Sequence, residues 1–138
     1  MPHFARAALE VALPKRGVAY LHMPALGGLR KARKDSVNTG WRNLGFRGYA
    51  DYMQTEAFST ALKDLLEVGA SRRTAIMCAE AVPWRCHRSL ISDALTVHGV
   101  DVLHITGKGE PSPHHLTPFA LVEGKRITYP ADTLPMDI

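Results

Sequence analysis

Two apolar runs on either side of one helix constrain the fold of this chain most tightly. Thr74-Ala75-Ile76-Met77 and Val100-Asp101-Val102-Leu103-His104-Ile105 read as short buried strands. The segment from about Cys86 to His98 is helical in pattern and is closed by Gly99. Strand, helix and strand over about 32 residues form a βαβ unit, whose strands run parallel with a right-handed crossover. Val18-Ala19-Tyr20-Leu21-His22-Met23, ended by Pro24 and Gly27-Gly28, reads as a further strand. The expected class is therefore α/β. We expect a small, three-layer-like domain with a mainly parallel sheet, about three parallel strands plus a C-terminal hairpin.

At 138 residues the chain has the size of one domain, and residues 1–138 are read as such. No apolar run approaches the roughly 20 residues that cross a bilayer, so no membrane partner is expected. The start, Met1-Pro2-His3-Phe4-Ala5-Arg6, lacks the apolar stretch of a signal peptide. The default location is cytoplasmic, where Cys78 and Cys86 stay reduced. That favours reactive, metal-binding or simply buried thiols over a structural disulfide.

Three other segments matter. Residues Ala5 to Leu13 have a helical period that stops at Pro14. Tyr49 to Val68 is helical, with a break between two helices at Thr55-Glu56 or at Ser59. Between Leu29 and Gly48 lies a long basic loop containing Arg30, Lys31, Arg33, Lys34, Arg42 and Arg47, with Trp41, Phe46 and Tyr49 as anchors. The formal net charge is +4. Such a loop suits phosphates on nucleic acid or on a small molecule, and a solvated surface is its plain alternative. Near the C-terminus, Phe119-Ala120-Leu121-Val122 and Arg126-Ile127-Thr128-Tyr129 flank Glu123-Gly124-Lys125 as a hairpin. His114-His115, behind two prolines, read as exposed loop.

The chemistry concentrates between Cys78 and Ser89. Cys78, Glu80, Cys86 and His87 are the candidate catalytic groups, and Arg85 and Arg88 are candidate anion clamps. The end of a parallel strand and the start of a helix is where open α/β sheets bind ligands. A thiol in that field becomes a better nucleophile. The spacing from Cys78 to Arg85 is similar to the Cys-loop-Arg cradle of tyrosine phosphatases and rhodaneses. However, the loop is one residue longer than the phosphatase form and lacks its glycine. For zinc, Cys78, Glu80, Cys86 and His87 are legitimate ligands, but Cys86 and His87 point about 100° apart on a helix. No metal or cofactor is expected, with zinc the alternative. Arg47, Gly27 and Gly28 are further candidate anion-binding positions, and His22 and Tyr49 candidate neighbours. The bland alternative is a buried Cys78, with Ser89 and Asp93 serving the helix.

Tyr20-Leu21-His22-Met23-Pro24-Ala25-Leu26-Gly27-Gly28, Phe46-Arg47-Gly48-Tyr49-Ala50-Asp51-Tyr52-Met53, Met77-Cys78-Ala79-Glu80 and Cys86-His87-Arg88-Ser89-Leu90-Ile91-Ser92-Asp93-Ala94-Leu95 occur in this order. Val102-Leu103-His104-Ile105 and Leu116-Thr117-Pro118 follow. The chain resembles domain of unknown function 488 from about His3 to Pro130. The resemblance implies a compact α/β domain, mostly bacterial, with Cys78, Glu80, Cys86, His87 and Arg88 as signature positions. It implies no established activity. It also implies that the chain is N-terminally truncated, lacking a first strand, helix and strand, and so self-associates through exposed strand edges.

The leading expectation is a site for an anionic small molecule at the Cys/His/Arg loop, with thiol-dependent catalysis left open. Alternatives are a nucleic-acid-associated module using residues 30–47, or a non-catalytic structural or partner-binding domain.

Overall fold

The computed structural model describes residues 6–28, 30–77, 87–105, 107 and 109–131. Along these run α1 (Arg6–Lys15), a 3-10 turn (Pro24–Leu26), α2 (Leu44–Tyr52), α3 (Glu56–Ser71), α4 (Arg88–Val97) and four short strands. Phe58, Ala61, Leu62 and Leu65 recur at helical spacing and form the buried stripe of α3. The Thr55 hydroxyl accepts from the Phe58 N–H at 3.2 Å and sets where α3 begins. The Asn43 side chain does the same for α2, accepting from Gly45 and Phe46 at 2.8 and 3.1 Å. Tyr49 and Ala50 of α2, Leu90 to Leu95 of α4, and Ile127 and Tyr129 near the C-terminus complete the core. Burying a side chain the size of Phe58 or Leu90 contributes about 1.5–3 kcal/mol. Helix-propensity differences between ordinary residues stay below about 0.7 kcal/mol. Packing therefore decides how these helices lie.

Among the described residues the parallel sheet expected from the apolar runs is not formed. Residues 18–23 and 73–77 carry no strand pairing. The strands are two antiparallel pairs, β1 (Leu103–His104) with β2 (Ser112–Pro113) and β3 (Leu121–Glu123) with β4 (Arg126–Thr128). The run at 100–105 pairs forward along the chain, to 112–113, and not back to 74–77. The expected strands also keep much of their apolar surface in solvent, with Leu21 61%, Leu103 59% and Ile105 71% exposed. The reason is that an apolar run supplies hydrophobic surface but no partner for its N–H and C=O groups. Among the described residues the core closes with helices and the β3–β4 hairpin, so no sheet receives these runs. The hairpin turns at Gly124-Lys125, within the segment where the sequence places it. α1 extends one residue beyond Pro14, because a proline in the last turn removes only one late hydrogen bond.

The basic loop is firmly held. The buried Asp51 carboxylate of α2 accepts from the Arg33 N–H (2.8 Å), the Ser36 hydroxyl (2.5 Å) and the Asn38 amide (2.7 Å). Asn38, itself fully buried, accepts from the Tyr129 N–H at 2.9 Å and from Gln54 at 3.1 Å. Trp41 meets Phe46 and Phe119 edge to face, with centroids 5.1 and 4.9 Å apart. Gly48 lets the loop touch α2, since a Cβ there would overlap the Arg30 carbonyl. No helix among the described residues is long and apolar enough to cross a membrane.

Candidate functional site

Three consecutive carbonyls of the 3-10 turn region are gripped from one side. The Tyr52 hydroxyl donates to Ala25 O at 2.6 Å, the Tyr49 hydroxyl to Leu26 O at 2.7 Å, and Arg30 Nε to Gly27 O at 3.3 Å. The Arg30 guanidinium also lies 3.7 Å from the centre of the Tyr52 ring, a cation–π contact. Tyr49 and Tyr52 are three apart on α2 and so share one face. The turn is thereby clamped, and Gly27-Gly28 are presented to the start of α4. A Cβ on Gly28 would sit 2.8 Å from His87 Nδ1, so glycine is what allows this approach.

His87 occupies the N-cap position of α4 without a side-chain capping bond, and the first turn of the helix contains no acidic residue. Its ring lies 4.6 Å from the Tyr49 ring, tilted by 39°. Burial pushes its pKa below the usual imidazole value. A hydrogen bond with the Leu26 backbone opposes this, and the positive charges of Arg88 and Arg30 push it further down. The result is a half-buried imidazole that feels two positive charges, at the positive end of a helix. Such an arrangement can receive an anion through N–H donors and fixed charge.

The structure thus brings together Gly27, Gly28, Tyr49, His87 and Arg88 of the residues singled out from sequence, and adds Arg30 to them. Cys78, Glu80, Arg85 and Cys86 lie outside the described residues. Arg47 is two positions from Tyr49 and so points to the opposite side of α2. Its guanidinium donates to the carbonyls of Trp41 (3.0 Å) and Thr39 (3.4 Å). His22 is exposed and lines a groove of about 370 Å³ with Leu21, Met23, Ala57, Thr60 and Val68. In the basic loop, Arg33 pairs with Asp35 at 2.9 Å, while Lys31, Lys34 and Arg42 are exposed.

Sequence reasoning missed a second polar cluster on the same helix. Asp93 is fully buried. Its Oδ1 accepts from His114 Nε2 (2.7 Å) and the Thr117 N–H (3.1 Å), and its Oδ2 from the Thr117 hydroxyl (2.7 Å) and the Tyr129 hydroxyl (2.8 Å). His114 Nδ1 in turn lies 2.7 Å from His104 Nε2. The His114 side chain is only 7% exposed, contrary to its reading as exposed loop. Neighbouring prolines suggested solvent, and no local pattern announces a carboxylate that lies 21 positions earlier in the chain. Among the described residues, no group of three or more His, Cys, Asp or Glu side chains is arranged to hold a metal ion.

A family model, described as Domain of unknown function DUF488, matches residues 1–95. No curated protein and no solved structure matches the chain.

Proposed function

The chain belongs to the DUF488 family, an uncharacterised domain, and from that premise we propose that it binds an anionic small molecule, of the phosphate class, at the start of α4. The observation that carries this reading is the close approach of Gly28 to the His87 ring at the start of α4, with Arg30 fixed on Tyr52 and Arg88 in the first turn of that helix. Arg30 is held in place by Tyr52 and Gly27 before any ligand arrives, so its side-chain entropy is already spent. The His87 ring, whose pKa burial pushes down, is hydrogen-bonded to the Leu26 backbone, so the donors left for an anion are the guanidinium groups and the first N–H groups of α4. Cys86 directly precedes His87 in the chain, and a thiol in a field of fixed positive charge is activated. Thiol-dependent catalysis on the bound anion is the further part of this reading, with Cys78, Glu80 and Arg85 as its candidate partners.

The test is a titration with inorganic phosphate, followed by calorimetry and by the His87 ring resonances. A bound anion supplies the opposite charge, so phosphate raises the His87 titration midpoint. Arg30→Ala and Arg88→Ala both weaken binding, each by about tenfold or more, as expected for a lost charge-assisted bond. Absence of binding heat together with an unmoved His87 midpoint sinks the reading. For the thiol part, Cys86→Ser removes a fast iodoacetamide reaction at neutral pH; labelling no faster than a free thiol in the unsubstituted protein excludes it.

A further inference from the structure

α1 presents an apolar stripe to water. Ala8, Val11, Ala12 and Lys15 stand three and four residues apart, so they share one face of the helix. All four are exposed, and Val11 keeps 59% of its surface in solvent. A helix of ten residues has little stability of its own, because so short a run of hydrogen bonds barely offsets nucleation. Its end is firmly closed all the same. Gly17 adopts a φ of 76°, the Val18 N–H donates to the Leu13 carbonyl at 3.0 Å, and the Gly17 N–H donates to the Pro14 carbonyl at 3.1 Å. That cap holds the last turn and leaves the stripe uncovered.

The same chain carries a surface of matching shape. The groove of about 370 Å³ has residues 21–25 as one wall and α3 as the other. The α3 wall is made by Ala57, Thr60, Ala61, Asp64 and Val68, again one face of a helix. From Ala57 to Val68 it extends about 16 Å, and the ten residues of α1 extend about 15 Å. No α1 residue lines the groove, so α1 of the same copy leaves it open.

The two surfaces are also opposite in charge. Lys15 and Arg16 are exposed at the end of α1. Asp64 is exposed in the groove, and Glu67 is exposed less than one turn further along α3. Among the described residues none of these four forms an ion pair within the chain.

We propose that α1 of a second copy of this chain fills the groove, reciprocally, giving a two-fold dimer with two helix–groove contacts. The proposal is independent of the anion-site reading, since it uses neither the start of α4 nor Arg30 and Arg88. Laid parallel to α3, the stripe matches the wall position by position: Ala8 against Ala57, Val11 against Thr60, Ala12 against Ala61 and Lys15 against Asp64. The small side chains let the two axes approach to about 8 Å, the close end of helix pairing. Lys15 and Asp64 then pair at the end of the contact, and Arg16 and Glu67 add to the same attraction. A second copy is the occupant because both halves of the contact occur in one sequence and both are uncovered in a single copy. Reciprocal exchange satisfies them together and closes the assembly at two.

The test follows the full chain by sedimentation velocity over a wide range of protein concentration. A monomer–dimer equilibrium is expected. Val11→Glu and Thr60→Glu each abolish the dimer. Both positions are exposed in the single copy, so circular dichroism and melting stay unchanged at a concentration where the unsubstituted chain is monomeric. Mixed in equal amounts, the two variants form a weaker dimer that neither forms alone, because the intact α1 of one meets the intact groove of the other. Lys15→Glu and Asp64→Lys each raise the dimer Kd by about threefold to tenfold, and combining them in one chain restores it. A monomer at every concentration overturns the proposal, whether the groove stays open or α1 fills it within one copy. A dimer indifferent to Val11→Glu and Thr60→Glu places the contact elsewhere and overturns it as well. A mixture that remains monomeric overturns the reciprocal exchange, and an affinity that the double substitution fails to restore overturns the parallel alignment.

Discussion

The Tyr129 hydroxyl donates to Asp93 Oδ2 at 2.8 Å, and so the end of the C-terminal hairpin is tied to the middle of α4. Both side chains are fully buried. Burial, together with the neighbouring carboxylate, pushes the tyrosine pKa far up, so the hydroxyl remains a donor at every ordinary pH. Tyr129→Phe keeps the ring and removes one donor from a buried carboxylate. A destabilisation of about 1–3 kcal/mol is expected by urea unfolding. A change within error would mean that the carboxylate is satisfied without the hydroxyl.

Asn38 joins the basic loop, α2 and the segment after β4. Its amide donates to Asp51 at 2.7 Å and its oxygen accepts from the Tyr129 N–H at 2.9 Å. Asn38→Ala leaves both partners buried and short of a bond. We expect a loss of about 2–6 kcal/mol, the sum of two such penalties in one network. Hydrogen exchange at the Tyr129 amide reads the same event locally and is expected to speed up.

Gly48→Ala sets two effects against each other. Alanine improves a helix interior by about 1 kcal/mol. The added methyl, however, would meet the Arg30 carbonyl carbon at 2.7 Å and the Ala32 nitrogen at 2.8 Å. Those are backbone atoms, which no rotamer change moves aside. Overpacking of this kind costs about 1–3 kcal/mol, so the net change is destabilising. A raised melting temperature would show that the loop yields instead.

His87 and His104 both have pKa values lowered on folding, with burial as the first cause. The unfolded chain therefore binds protons at a pH where the folded chain does not. The stability these groups contribute is fully present above the ordinary histidine value of 6.5. It declines as pH falls from there toward their folded values. Thermal melts between about pH 8 and about pH 5 are expected to show this decline. His87→Gln makes the slope shallower, and an unchanged slope would remove His87 from the account.

Much of the helical part was legible in the sequence because helical order is local. Thr55 marks the α3 start, and the apolar positions 58, 62 and 65 repeat at the right interval. The β3–β4 hairpin needed only a turn between two short runs. The sheet was misread because pairing is not local. Val100 to Ile105 has the same composition whether it joins 74–77 or folds forward onto Ser112–Pro113, as it does. In the candidate site, Gly28, Tyr49 and His87 were visible as residue types in separate motifs. Arg30 was read only as part of a basic loop, since its stacking on Tyr52 depends on how that loop returns to α2. Asp93 and His114 were assigned to helix and loop, because a buried acid finds its donors through tertiary packing.

The position of Asp93 also bears on where this protein can be divided. The family match ends at residue 95, with Asp93 inside it. The donors to that carboxylate, His114, Thr117 and Tyr129, come later in the chain. Expression of residues 1–95 alone would remove all of these partners together with the buried Ile127 and Tyr129 side chains, and would open the core face of α4 to water. The boundary seen by sequence similarity therefore cuts through a cooperative unit, and gene fragments designed to it are expected to yield insoluble or protease-sensitive product.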